Sequence, residues 1–138
     1  MTNLPLADAL KVSSFAEKAI QNPQAPAALI GEYLPGSPTS YERLGADFGF
    51  THLNLPDPFY TEFKLAYGND SWWSYINEPF AWRVAMSRKP VYVNTDPDYV
   101  SGGNLYAEIQ VLRQFGYTVT GKEIINGIEL WKMIPSPR

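Results

Sequence analysis

The sequence predicts an α+β fold: a small, mostly antiparallel sheet with packed helices and a C-terminal β-hairpin. Three observations predict it. Short apolar runs of strand length alternate with longer segments of helical period. Asn126-Gly127 separates two apolar runs, residues 122–125 and 128–134, and this dipeptide favours a two-residue hairpin turn. Prolines and glycines, 12 and 10 of them, break the chain into short elements. No internal repeat interrupts the pattern.

Residues 7–21 read as a first helix, with Leu10, Phe15 and Ile20 as its apolar positions and several alanines in support. Asn22-Pro23 and Pro26 end it. The domain organisation expected is therefore a helix and Pro/Ala linker over residues 1–26, then one α+β unit over 27–138. Residues 28–34 form a short strand, and Pro35-Gly36-Ser37-Pro38 a turn. Ser37 is the expected N-cap of a helix over 39–48, with Pro38 at its first position. Gly49 stops that helix. A brief strand over 51–55 follows. Residues 59–67 read as a turn or two of helix.

The next helix runs over 72–87. Pro79 lies inside it, so a kink or two abutting helices are expected. Residues 90–95 form a strand, and 96–103 a loop. An amphipathic helix then carries Ile109, Leu112 and Phe115 at spacings of three. The hairpin closes the chain.

Composition sets limits on function. The chain has 138 residues, 45% hydrophobic and 14% aromatic, enough for one packed domain. Its formal net charge is −3, which argues against a general nucleic-acid binder. Arg83, Arg88 and Lys89 make the one small basic cluster. With no cysteine, a disulfide framework, a thiolate zinc site and a cysteine nucleophile are excluded. A single histidine, His52, excludes two-histidine ribonuclease chemistry and reads as a packed imidazole. No run approaches a membrane span, and no secretory leader is evident, so a soluble chain is expected.

Four segments carry candidate chemistry. In the first, Ser37, Ser40 and Tyr41 set hydroxyls beside a helix start, where free N–H groups favour an anion. The same residues also make an ordinary capped helix. In the second, Trp73, Ile76, Phe80 and Val84 follow a core stripe, while Trp72 and Trp82 lie off it. Trp72 is thus free to stack on a ring, and Asn77 to aim its amide into a cleft. The third, Asn94 to Asp98, ends a strand, where ligand contacts are common. Asp-Pro-Asp is also a plain turn, and its spacing does not make a calcium loop. No metal site is expected.

The fourth segment is Glu108, set between Gly102-Gly103 and the end of an amphipathic helix. It adjoins the apolar stripe. A carboxylate at the edge of a core is a candidate general acid or base, or a stabiliser of a sugar cation. The alternative is a solvated helix glutamate.

The order of these segments resembles the C-terminal toxin domains of bacterial polymorphic toxins. The residues that carry it begin with Gly31-x-Tyr33-x-x-Gly36-Ser37-Pro38-x-Ser40-Tyr41. Trp73-x-x-Ile76-Asn77-x-x-Phe80, Asp96-Pro97, Tyr106-Ala107-Glu108-Ile109 and Leu112-x-x-x-Gly116-Tyr117 follow. Such domains end long adhesin, Rhs or LXG proteins. The resemblance spans about residues 28–134 and implies an enzymatic toxin with a cognate immunity protein. It does not name a reaction. The initial Met and the lack of a long carrier point to an excised or orphan domain.

Three functions follow. The first is cleavage or ADP-ribosyl transfer on a nucleotide such as NAD, as substrate and not as bound cofactor. Glu108 and Asn77 would act at the reacting centre. Ser37, Ser40, Tyr41, Trp72 and Arg83 would bind the substrate. The second is a metal-independent RNase toxin whose arginines hold the scissile phosphate. The third is a non-enzymatic immunity or binding protein. None calls for a membrane, and nucleic acid enters only with the second.

Overall fold

The computed structural model describes residues 17–32, 34, 37–54, 61, 62, 65 and 74–136. Strands are β1 (Ile20–Gln21), β2 (Ala28–Ile30), β3 (His52–Leu53), β4 (Val91–Val93), β5 (Tyr117–Ile125) and β6 (Ile128–Pro135). Helices are α1 (Tyr41–Phe48), α2 (Ser74–Ser87) and α3 (Gly103–Gln114), with a 3-10 turn at Pro97–Tyr99. The main sheet has the order β2-β4-β6-β5, and β1 pairs with β3 in a small second sheet. The class is α+β, as the sequence predicts.

Two of the three pairings in the main sheet are antiparallel; β2 and β4 run parallel. That parallel pair was not legible in the sequence. It arises because α1, β3 and α2 separate its two strands, which allows a crossover. β2 and β4 are short and apolar because both sheet faces are covered over them. Ala28, Ile30, Val91, Val93 and Met133 face α2 and α3, which contribute Ile76, Phe80, Val84, Ile109 and Leu112. Leu29, Tyr92 and Leu130 alternate to the other face and meet Leu44 of α1.

Several elements differ from expectation at their ends. Residues 17–19 are helical, but Ile20–Gln21 leave that helix and pair with His52–Leu53. Asn22, at φ 51°, turns the chain immediately afterwards. Ala19 is fully buried in the same core as α2 and α3. Residues 7–16 of the expected helix lie outside the described residues. In the expected helix over 59–67, Thr61, Glu62 and Leu65 are helical, and its other positions also lie outside.

The N-cap of α1 is Ser40, not Ser37. Ser37 Oγ instead accepts from the Thr39 N–H at 3.2 Å, so a local turn moves the N-cap three residues along the chain. The Gly49 stop stands at φ 71°. Gly45 lets α1 approach the His52 ring: a Cβ there would fall 2.3 Å from its Cγ. Pro79 lies within a single helix, not between two. It is the sixth residue of α2 and lies on the exposed side, so only one early N–H is missing from the ladder.

The hairpin forms around Asn126-Gly127 with φ 49° and 81°, the left-handed pair of a type I′ turn. Its first strand begins earlier than expected, at Tyr117, and carries a register shift between Val119 and Gly121. Tyr117 is buried and its hydroxyl donates to the Lys89 carbonyl at 2.8 Å. Among the described residues, no helix is long and apolar enough to cross a membrane.

Candidate functional site

The chain places its candidate site at the carboxyl ends of β2 and β4. Those strands lie side by side and parallel. The chain leaving β2 turns to α1 on one face of the sheet. The chain leaving β4 turns to α3 on the other. Adjacent parallel strands whose helices depart to opposite faces leave a crevice between the departing loops, a recurrent place for ligands.

The two loops are tied together by Asn94, the residue after β4. Its Oδ1 accepts from the Glu32 N–H at 2.7 Å. Its Nδ2 donates to the Glu32 and Thr39 carbonyls, both at 2.9 Å. Gly31 makes room for this side chain, since a Cβ there would lie 2.2 Å from Oδ1. The Tyr41 N–H adds a bond to the Glu32 carbonyl at 3.2 Å. Tyr41 is half-buried and packs against both core clusters, as expected of a residue at the sheet's end.

Helices α2 and α3 bring a second set of groups to this end. Their C-termini meet at the opposite end, where Arg88 Nη1 donates to the Phe115 carbonyl at 2.8 Å. Their N-terminal halves therefore lie toward the carboxyl ends of the strands. Asn77 is in the first turns of α2 and Glu108 is the sixth residue of α3. Their side chains are hydrogen-bonded to each other. Glu108 is only 6% exposed. Burial pushes its carboxyl up to about 8, and the Asn77 bond offsets that only in part. The neutral acid therefore predominates at pH 7.

The other expected site residues are placed as follows. Ser37 is half-buried, and its hydroxyl lies 2.9 Å from Thr39 Oγ1. Ser40 is fully buried; its Oγ accepts from the Leu34 N–H at 2.8 Å and donates to the Glu42 carboxylate. That carboxylate, in the first turn of α1, already supplies negative charge where an anion was expected. Arg83 forms a two-pronged pair with Glu17 on the exposed side of α2. Trp72 lies outside the described residues. Glu108 and Asn77 are thus joined across the N-terminal halves of α3 and α2, Tyr41 and the Ser37–Ser40 loop are bonded to the chain after β2, and Arg83 is engaged by Glu17.

Lys89 and Arg113 are also occupied. Lys89 Nζ donates to the Pro23 and Ala25 carbonyls and to Thr51 Oγ1, at 3.1, 2.9 and 3.1 Å. Arg113 pairs with Asp98 at 2.8 Å. Asp96 accepts from the Asp98 N–H at 3.0 Å and caps the 3-10 turn. Among the described residues, no group of three or more His, Asp or Glu is placed to hold a metal. His52 is buried with Nδ1 2.8 Å from the Phe50 carbonyl, and burial holds its pKa below the usual value.

Sequence reasoning missed the role of Asn94 as the tie between the loops. The available signal was a polar amide directly after an apolar strand, with Gly31 directly after the other. No protein-family model, curated protein or solved structure matches the chain.

Proposed function

We propose that the chain is a toxin domain of bacterial competition that breaks the nicotinamide–ribose bond of NAD, with Glu108 as its acid–base group. One observation carries the reading: a buried carboxyl on α3 joined to a carboxamide on α2. A polar pair between two core helices adds little stability that apolar side chains would not supply. It does supply a carboxyl that can change protonation near neutral pH.

The chemistry is direct. The C–N bond electrons leave with nicotinamide, and positive charge develops on the ribose. The ionised minor fraction of Glu108 faces that charge and takes a proton from the attacking water, or from an acceptor hydroxyl in a transfer. Asn77 orients the carboxyl. Tyr41 and the Ser37–Ser40 loop, held by Asn94, border the substrate. A cognate immunity protein would act by covering this end of the sheet.

The RNase alternative needs cations for phosphate. Arg83, Arg88, Lys89 and Arg113 are all bonded within the protein, which favours the nucleotide reading. Expression in bacterial cytosol, with and without Glu108→Gln, tests the proposal. The expected result is growth arrest with loss of cellular NAD for the unaltered chain only. Intact NAD with cleaved tRNA would support the RNase instead. A harmless chain that protects against a toxin would support an immunity role.

A further inference from the structure

A line of polar groups runs from the buried His52 to the chain before α1. His52, on β3, is 2% exposed. Its Nδ1 lies 2.8 Å from the Phe50 carbonyl, so Nδ1 carries the ring proton and a second proton would go to Nε2. Gly45 of α1 lies against the ring. Glu42 stands three residues earlier, on the same side of that helix, and its charge acts on the imidazole. The Glu42 carboxylate accepts from the Ser40 hydroxyl, and Ser40 Oγ accepts from the Leu34 N–H at 2.8 Å. Ser40 is fully buried. The other elements packed on β3 offer the imidazole no better partner. On α1, Arg43 and Asp47 pair with each other in the open. Ile20–Gln21 of β1 and Ala28–Ile30 of β2 carry no charge. Gln21, opposite His52, gives its amide to the Lys18 and Asn54 carbonyls. Thr51, beside His52, accepts from Lys89, whose ammonium disfavours a second cation.

An imidazolium enclosed in this way needs a counter-charge, because isolated buried charge is poorly solvated. Among the described residues on these elements, Glu42 is the carboxylate placed to supply it. We infer that His52, Glu42 and Ser40 form a proton-operated latch: a second proton on the imidazole draws on the Glu42 carboxylate, weakens its bond to Ser40, and so loosens the Leu34 N–H and the chain that enters α1. The step is one proton taken from solvent at Nε2. A carboxylate paired with an imidazolium is a weaker acceptor for Ser40, whether it keeps that hydroxyl or leaves it. Burial holds His52 below its usual pKa, so the latch yields in mild acid and is closed at neutral pH. The coupling concerns the chain that leads into α1 and holds whether or not Glu108 is catalytic.

The test is an NMR titration of the full chain from pH 7.5 to 4.5, in which the single histidine gives one unambiguous Cε1–H signal. His52 should titrate below the usual 6.5, and the Leu34 and Ser40 amide shifts should follow with the same midpoint. Exchange at the Leu34 amide, corrected for its intrinsic pH dependence, should quicken about fivefold across that titration, the gap between a charged and a neutral acceptor. Glu42→Gln keeps an acceptor for Ser40 and removes the charge. It should lower the His52 midpoint and leave the Leu34 amide indifferent to it. His52→Asn keeps a donor for the Phe50 carbonyl and should abolish the response. A His52 signal that does not titrate above pH 4.5, or a Leu34 amide that stays constant while His52 titrates, would rule out the latch. So would an unchanged His52 midpoint in Glu42→Gln, or a Leu34 response that persists in His52→Asn. The first two readings need only the unaltered chain.

Discussion

Glu108, the proposed acid–base residue, also sets a pH dependence of stability. The carboxyl of Glu108 rises from 4.5 to about 8 on folding. The native state therefore holds a proton that the unfolded state releases above pH 4.5. Stability from this group is complete below the unfolded value and is lost as pH rises through the folded one, at up to about 1.4 kcal/mol per pH unit. Denaturant unfolding at pH 5, 6.5 and 8 should show the unaltered chain weakening relative to Glu108→Gln across that window. A constant difference between them would rule out the titration. His52 acts in the opposite sense. Burial lowers its pKa, so its penalty appears as pH falls below about 6.5. Comparing the chain with Glu108→Gln at each pH removes that contribution.

At the scale of elements, turn chemistry and close contacts decide the boundaries. The β5–β6 hairpin depends on two left-handed residues, and Gly127 at φ 81° has no Cβ to strain. Gly127→Ala should destabilise the protein by about 1 kcal/mol, read from a denaturation midpoint, with the sheet otherwise intact. The site depends on a different link. Asn94 makes three hydrogen bonds between the loops after β2 and β4. Asn94→Ala leaves the Glu32 N–H and two carbonyls without that partner and should cost roughly 2–3 kcal/mol. Amide exchange should quicken over residues 32–41 and stay unchanged in the β5–β6 hairpin. Equal acceleration in both would mean that Asn94 supports the whole fold and not the loops.

At the scale of the molecule, two buried sheet faces and one parallel pair bring distant residues to a common end. The elements themselves were largely legible. The apolar stripe of Ile109 and Leu112, the Gly49 stop and the Asn126-Gly127 turn are local features, and each stands where periodicity or backbone preference puts it. Boundaries that depend on partners were not legible. Ile20–Gln21 belong to a strand because His52–Leu53 lie beside them, and α1 starts at Tyr41 because Ser37 is spent on its own turn. For the site, residue types were readable and occupancy was not. Glu108 and Asn77 are joined between two helices, while Ser40 and Arg83 are bonded to Glu42 and Glu17.

The sequence by itself determined the α+β class, the hairpin, the absence of cysteine chemistry and the short list of carboxylates and amides available. Short-range spacing and backbone stereochemistry suffice for these. Only the tertiary structure decided that β2 and β4 run parallel, that their loops are knotted together by Asn94, and that Glu108 is withdrawn from water beside Asn77. A carboxyl's acidity depends on the solvent and charges within a few ångströms of it, and those come from parts of the chain far away in sequence.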